Sequence, residues 1–273
     1  MKGFHPRHFR LVGKKIEATL CSLLPNENDS PRVLHQAMRY AVLSGGKRIR
    51  PILTLGACQA VSGKQADAMF AACALEMIHS YSLVHDDLPC MDNDMIRRGK
   101  PSCHAKFGEV TALLAGDALL TKAFNVLSHK GGSKHLQAIQ WISEAIGNKG
   151  MVGGQALDIQ FQGKKLDLPI LRQINANKSG ALIAVCTRVG AYLGCGTKHQ
   201  VSSLHRYGKY VGLLFQIVDD IMDGQGYARA LGIQKAREEA TLILAKAKRE
   251  LLPFGTRGHF LKDIADFIAT RKY

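Results

Sequence analysis

The sequence predicts an all-α protein, one bundle of about ten helices around a buried central group, and three observations carry that expectation. Apolar residues fill 46% of the 273 positions while aromatics fill only 7%, a balance rich in Ala, Leu, Gly and Ile that favours helices over a sandwich of strands. Apolar residues recur at helical spacing along most of the chain, and no alternating pattern announces a β-hairpin. Several segments are apolar nearly all round, as helices in the middle of a large core are. With no linker, low-complexity tract or short-period repeat, residues 1–273 are expected to form a single domain.

The elements follow in order. Residues 9–24 alternate apolar and charged positions at helical spacing, and the basic opening MKGFHPRHFRLVGKKIEATLCSLL lacks the long apolar core and small-residue cleavage site of a secretory signal, so an amphipathic first helix is expected. LPNENDSP (24–31) reads as a loop by its Pro, Asn, Asp and Ser content. A helix over 32–44 is broken by GGKRIRP (45–51), with two glycines, three cations and a proline. Residues 66–88, ADAMFAACALEMIHSYSLVHDDL, form a helix apolar on nearly every face until Pro89 stops it, and the basic loop NDMIRRGKPSCH (93–104) follows. Helices then fill 109–129 and 134–147, and GGQALDIQ (153–160) opens another. Residues 175–194 and 202–224 give two more apolar helices, and the tail over 233–252 and 258–270 is amphipathic.

Composition narrows the partners. Lys and Arg number 37 against 22 Asp and Glu, a formal net charge of +15 that suits a phosphate-rich substrate. The interleaving of aromatic and basic residues found in single-strand binders is lacking, so nucleic acid is not an expected partner. The seven cysteines (21, 58, 73, 90, 103, 186 and 195) form no CxxC and lie mostly in apolar surroundings, which fits a reducing, cytoplasmic setting. No membrane span is expected, since the run 180–194 is cut by Arg188.

Against this positive background, two buried helices end in aspartates. HDDLPCMD places Asp86, Asp87 and Asp92 in a DDxxxxD pattern, and FQIVDDIMD places Asp219, Asp220 and Asp223 in a DDxxD pattern. On a helix Asp219 and Asp223 share a face, and like charges so placed repel, the more so where water is excluded. A carboxylate near a helix C-terminus is also electrostatically unfavourable. Carboxylates clustered without cysteine and with little histidine suit a hard cation, and Mg²⁺ takes one or two carboxylates while drawing its other ligands from phosphate and water. Lys47, Arg48 and Arg50 in the glycine-rich break, with Arg97 and Arg98 beyond the first cluster, are the phosphate-binding cations such a centre needs. His79, seven residues before Asp86, lies on nearly the same helical face. The residues thus point to Mg²⁺ held by aspartates, a diphosphate held by Mg²⁺, and cations completing the cage.

GGKRIRP, HSYSLVHDDLPCMDNDMIRRGKPSCH, GGQALD, NKSGAL and FQIVDDIMD, in that order, resemble the motifs of the trans-isoprenyl diphosphate synthases from about residue 30 to the C-terminus, and the likeness is greatest to the bacterial type of farnesyl diphosphate synthase. The resemblance implies an all-α fold with a deep central cavity, a homodimer, and Mg²⁺ (about three ions) held by Asp86, Asp87, Asp92, Asp219, Asp220 and Asp223. It implies that Arg97 and Lys178 contact an allylic diphosphate with Gln216 close by, and that Lys47, Arg50, His79 and Arg98 bind isopentenyl diphosphate. The implied reaction is ionisation of the allylic substrate (dimethylallyl, then geranyl), condensation and proton loss, with Asp86, Asp87, Asp92, Arg97, Lys178 and Asp219 as catalytic residues. Tyr81 lies five residues before Asp86, roughly 7 Å along a helix. By the same resemblance an aromatic there, with the neighbouring Ser82 and the two extra residues within Leu88–Met91, accompanies a farnesyl product; geranylgeranyl diphosphate is the alternative. One departure stands out: the family carries a long lysine-bearing loop after the second motif, whereas DDIMDGQGYARALGIQKAR runs almost straight on, and the expectation is that a further disordered stretch belongs there.

Other readings fit fewer residues. An HD-type phosphohydrolase using His85 and Asp86 needs further histidines, and the second cluster offers only aspartates. A di-iron protein using Glu76 and His79 needs a second ExxH motif. A catalytically silent subunit of the same fold tends to lose aspartates, and both clusters are complete here.

Overall fold

The structure is a computed structural model that describes residues 6–129, 131–164 and 167–271; the first five residues of the basic N-terminal stretch lie outside the described residues. Its described residues are helical apart from turns, loops and one two-stranded ribbon, so the all-α expectation holds. The chain divides into two compact units, the first of Pro6–Ile52 with Met69–His135, the second of Leu53–Ala68 with the described part of Leu136–Tyr273.

The first unit holds α1 (Pro6–Leu23), α2 (Arg32–Leu43), the start of α3 (Ile49–Ser62) and α4 (Met69–Asp86). A short ribbon of β1 (Ile96–Arg97) and β2 (Lys100–Pro101) follows, then α5 (Cys103–Phe107), α6 (Glu109–Ser128) and the start of α7 (Gly132–Ile146). The amphipathic α1 buries Val12, Ile16 and Leu20, a stripe at four-residue spacing that faces α2 and α4. Along α4 every residue from Ala71 to Ile78 is buried, which is why its sequence shows no polar face. It packs most extensively on α6, whose facing side is built from Ala112, Ala115, Gly116, Leu119 and Ala123. Small residues there let the two helices approach closely. The far side of α6 exposes Val110, Leu113 and Leu114. By length and composition α6 is apolar enough to cross a membrane, a feature the sequence reading passed over; 39% of its apolar window is buried, and a core helix passes the same test.

The second unit holds the rest of α3 and α7, then α8 (Met151–Phe161), α9 (Leu168–Asn175), a π-helical turn (Ala176–Gly180), α10 (Ala181–Leu193) and α11 (Lys198–Asp223). It ends with α12 (Gly226–Leu231), α13 (Ile233–Arg249), a 3₁₀ segment and α14 (His259–Thr270). The longest helix, α11, starts on a capping box between Thr197 and Gln200 and stops at the left-handed Gly224. It buries Val201, Leu204, Tyr207, Val211, Leu214 and Val218 at three- and four-residue spacing, chiefly against α10 and α13. The Tyr207 hydroxyl donates to the Leu261 carbonyl at 2.7 Å, so this fully buried tyrosine keeps a polar partner. The sequence led to about ten helices and the described residues contain fourteen α-helical segments; α5, α9 and α12, each of eight residues or fewer, are too short to show a periodic pattern, and α3, the fourth unexpected helix, starts within GGKRIRP, where Pro51 falls in its first turn rather than ending a helix.

Candidate active site

In the first unit the opening aspartate cluster sits where α4 ends. Asp86 is the last helical residue, and the turn beyond it closes on itself: the Asp92 amide donates to the Asp86 carbonyl at 2.9 Å, and Asn93 to Leu88 at 3.1 Å. Asp87 is only 2% exposed. Arg97, on β1, donates to its carboxylate from both Nε and Nη2, with the Nε–Oδ1 bond at 2.9 Å, and also reaches Asp94 at 2.8 Å. Burial pushes the Asp87 carboxyl above its ordinary range, and the bonds from Arg97 pull back against it. Asp86 is half-buried and Asp92 exposed. Of the predicted ion ligands and diphosphate contacts here, Asp87 and Arg97 are thus each other's partners.

The glycine-rich break gathers the other predicted cations of this unit. Arg50 donates from Nη1 to Nε2 of His79 at 3.2 Å, and Arg98 donates to the Gly45 carbonyl. His79 is held well below the ordinary histidine range, first by burial and then by Arg50 and Arg98. Its ring is therefore neutral, accepts at Nε2 and carries its proton on Nδ1. Lys47 points to solvent beside them. Arg48, read from sequence as one of the phosphate-binding cations, turns inward instead: it is 3% exposed, bonds Glu76 at 2.8 Å and donates to the Val42 carbonyl at 2.8 Å. The same pair engages the glutamate of the ExxH motif. Tyr81 is 6% exposed on α4 and packs edge-on against His85, whose Nε2 lies 3.0 Å from the Leu113 carbonyl; Ser82, half-buried, bonds back to the His79 carbonyl at 3.0 Å.

In the second unit Lys178 lies in the π-helical turn between α9 and α10 and pairs with Asp158 of α8 at 2.7 Å. The approach of α8 to that turn is close enough to require Gly154, since a β-carbon there would stand 2.2 Å from the Lys178 amide nitrogen. The second aspartate cluster ends α11. Gln216 donates to Asp220 at 2.8 Å, and the Tyr227 amide donates to the other oxygen of the same carboxylate at 2.9 Å. The connection expected to be longer consists here of Gly224 and Gln225 alone between α11 and α12. Gly226 follows at φ +42°, and a β-carbon on it would lie 2.1 Å from Asp220 Oδ2, so the short turn wraps the carboxylate. Asp219 is paired with Arg271, which stacks 3.8 Å over the Phe215 ring and donates to the Phe215 carbonyl at 3.0 Å. Burial raises the carboxyls of both Asp219 and Asp220. Asp223 is exposed at the helix end.

Each unit thus presents carboxylates whose charge burial disfavours, beside cations and amides that offset it. Among the described residues no three acidic, histidine or cysteine side chains already stand as an ion cage. The donors are nonetheless all hard oxygens, and the fit is to Mg²⁺, which keeps waters and phosphate oxygens for most of its shell. Sequence reasoning missed Asp94, Asp158 and Arg271. Asp158 lies in the GGQALD motif, which was the available signal; Arg271, in a basic tail, gave none.

Residues 31–248 match the polyprenyl synthetase family. A chloroplastic geranylgeranyl pyrophosphate synthase of Capsicum annuum is 44% identical over 266 positions, covering 88% of this chain and 72% of the relative. Since 88% of 273 residues is fewer than 266, the pepper protein carries residues within the matched span that this chain lacks. The large subunit 1 of a heterodimeric chloroplastic geranylgeranyl pyrophosphate synthase of Arabidopsis thaliana is 41% identical, over 89% of this chain and 73% of its own. Among solved structures, an FPP/GFPP synthase from Zymomonas mobilis superposes with a TM-score of 0.91 at 39% identity, covering 96% of this chain and 98% of the other. A geranyltransferase from Legionella pneumophila gives a TM-score of 0.91 at 34% identity, with 97% of each chain covered.

Proposed function

Because the chain belongs to the polyprenyl synthetase family, and so is a prenyltransferase of isoprenoid biosynthesis, we propose that it joins isopentenyl diphosphate to dimethylallyl and then geranyl diphosphate and releases farnesyl diphosphate. The observation that carries the product is Tyr81, buried on α4 five residues before Asp86 and fixed by its edge contact with His85. A bulky side chain locked at that depth limits chain growth. Geranylgeranyl diphosphate is the second reading, favoured by the names of the pepper and Arabidopsis relatives.

In this reading Asp86, Asp87, Asp92, Asp219, Asp220 and Asp223 hold Mg²⁺. When bound, Mg²⁺ supplies the positive charge that stabilises a departing diphosphate. The chain's own cations do the rest. Arg97 and Lys178 exchange their carboxylate partners, Asp87 and Asp158, for the allylic diphosphate and stabilise negative charge as its C–O bond ionises, and Gln216 is assigned to the same diphosphate. Lys47, Arg50, His79 and Arg98 position isopentenyl diphosphate so that its double bond attacks the allylic cation. His79, neutral and accepting from Arg50, keeps that guanidinium aimed. The proton lost at the end goes to the released diphosphate.

The exposed Val110, Leu113 and Leu114 on α6 support a homodimer, and the seven free cysteines support a reducing cytoplasmic setting. The whole chain is taken as one synthase domain. Incubation with isopentenyl and geranyl diphosphates, with and without Mg²⁺, followed by chromatography of the dephosphorylated alcohols, tests the proposal. Farnesol, formed only with Mg²⁺ and lost in Asp86→Asn and Asp219→Asn, is expected. Geranylgeraniol as the main product transfers the assignment to the second reading, and no elongation refutes both.

A further inference from the structure

We propose that the second unit carries a binding cleft for an amphipathic organic phosphate, formed by residues that have no part in the reaction above. The cleft has a volume of about 580 Å³ and is lined by Trp141 of α7, Lys149, Arg188 of α10, and Lys209 and Tyr210 of α11. One side is apolar, with Ala184, Val185 and Leu213 facing the space. The π-helical turn contributes to the same wall. A cleft of this size, mostly apolar with a few polar groups converging on it, has the form of a small-molecule site.

Its charge is out of balance. Arg172, also on the wall, is engaged with Glu239 at 2.8 Å. Arg188, Lys149 and Lys209 make no ion pair within 4.0 Å among the described residues. Among the described residues Glu144 is the one acid lining the cleft; it faces Arg188 and accepts from the Gln140 side-chain amide at 3.0 Å. Three cations against one acid leave a surplus that a phosphate dianion neutralises. Arg188 is held for that role: its guanidinium lies 3.7 Å over the Trp141 ring, and burial lowers its pKa, so its charge lacks part of the hydration a free arginine has. His205, on the same wall, bonds from Nδ1 to the Ala184 carbonyl at 3.3 Å, and burial together with Lys209, Arg188 and Arg206 keeps it neutral. The apolar side takes the hydrocarbon tail while the cations take the head.

The chain contains one tryptophan, Trp141, which lines this cleft and an adjoining one that Arg188 and His205 also line; its emission reports binding at either, and Lys209, which lines only the first, tells them apart. The test is fluorescence titration of the full chain in EDTA, which removes metal-dependent diphosphate binding, with decyl phosphate, geranyl monophosphate, decanol and inorganic phosphate. Saturable change with the two organic phosphates, at least about tenfold tighter than with decanol or inorganic phosphate, is expected. Tighter binding of the geranyl compound names an isoprenoid tail, equal binding a generic alkyl one; either supports the cleft. Lys209→Glu, an exposed position that leaves the fold intact by circular dichroism, and Arg188→Met are each expected to weaken binding about tenfold or more. An unchanged emission, decanol binding as tightly as decyl phosphate, or unchanged affinity in Lys209→Glu overturns the proposal.

Discussion

Replacing Arg97 by methionine tests the pairing at the end of α4 most directly. Arg97 is the guanidinium bonded to Asp87, which is 2% exposed, so the change strands a carboxylate in the protein interior. Breaking a buried pair in this way costs roughly 3–5 kcal/mol, and the lower end applies because the Arg97 side chain is 35% exposed. At about 2–4 °C per kcal/mol for a chain approaching this size, the melting temperature falls by about 6–12 °C. The loss also has a pH signature. Burial already holds Asp87 above the ordinary carboxylate range, and Arg97 opposes it; without Arg97 the folded pKa climbs further. A carboxyl raised on folding stabilises the fold while protonated and loses that stability as pH rises through the folded pKa. The deficit of the variant is therefore full near about pH 8 and shrinks as pH falls through its raised pKa, towards about pH 5. Thermal melts followed by circular dichroism at the two pH values measure this, and adding Asp87→Asn to the variant recovers more than half of the loss. A deficit that is the same at both pH values and untouched by Asp87→Asn refutes the reasoning.

Three further outcomes are expected. Tyr81→Ala shifts the products towards geranylgeranyl length or beyond with Mg²⁺ dependence unchanged, read by chromatography of the alcohols; an unchanged distribution removes Tyr81 from control of chain length. Gly154→Ala drives a β-carbon into the Lys178 backbone, so stability falls by at least about 1–3 kcal/mol and turnover drops with it, and a variant indistinguishable from wild type in melting and rate contradicts the close approach. Arg271→Met removes charge-assisted bonds worth roughly 1.5–3 kcal/mol and frees Asp219, so the variant melts lower in EDTA and gains more from added Mg²⁺ than wild type does; an equal Mg²⁺ gain shows that Arg271 does not compete for Asp219.

What could be read from the sequence was what short-range chemistry writes there. Two aspartate clusters closing apolar helices need only local spacing to be seen, and the all-helical class needs only composition and periodicity. What stayed hidden was the choice of partner. Arg271 meets Asp219 across 52 residues, and Arg48 meets Glu76 across 28, distances at which neighbouring letters carry no information. Arg48 shows the cost of judging a cation by its motif, since it sits between Lys47 and Arg50 yet turns into the core. Asp220 was legible as an acid but not as the group that the Gly224–Tyr227 turn closes around, because that depends on a backbone amide.

The π-helical turn gives the run from Leu168 to Leu193 an unusual arithmetic. An α-helix advances about 100° per residue, so one residue more or fewer rotates everything beyond it by that angle. The wide turn at Ala176–Gly180 absorbs one such step, leaving α9 and α10 out of phase with each other along a continuous rod. Deleting Ser179 restores an unbroken helix and forces a choice: either Leu171 and Ile174 keep their buried seats, or Leu182, Ile183 and Cys186 keep theirs. A family member that has lost or gained a single residue here must compensate on one side or the other, and insertions or deletions should therefore be rarer across this turn than substitutions within it.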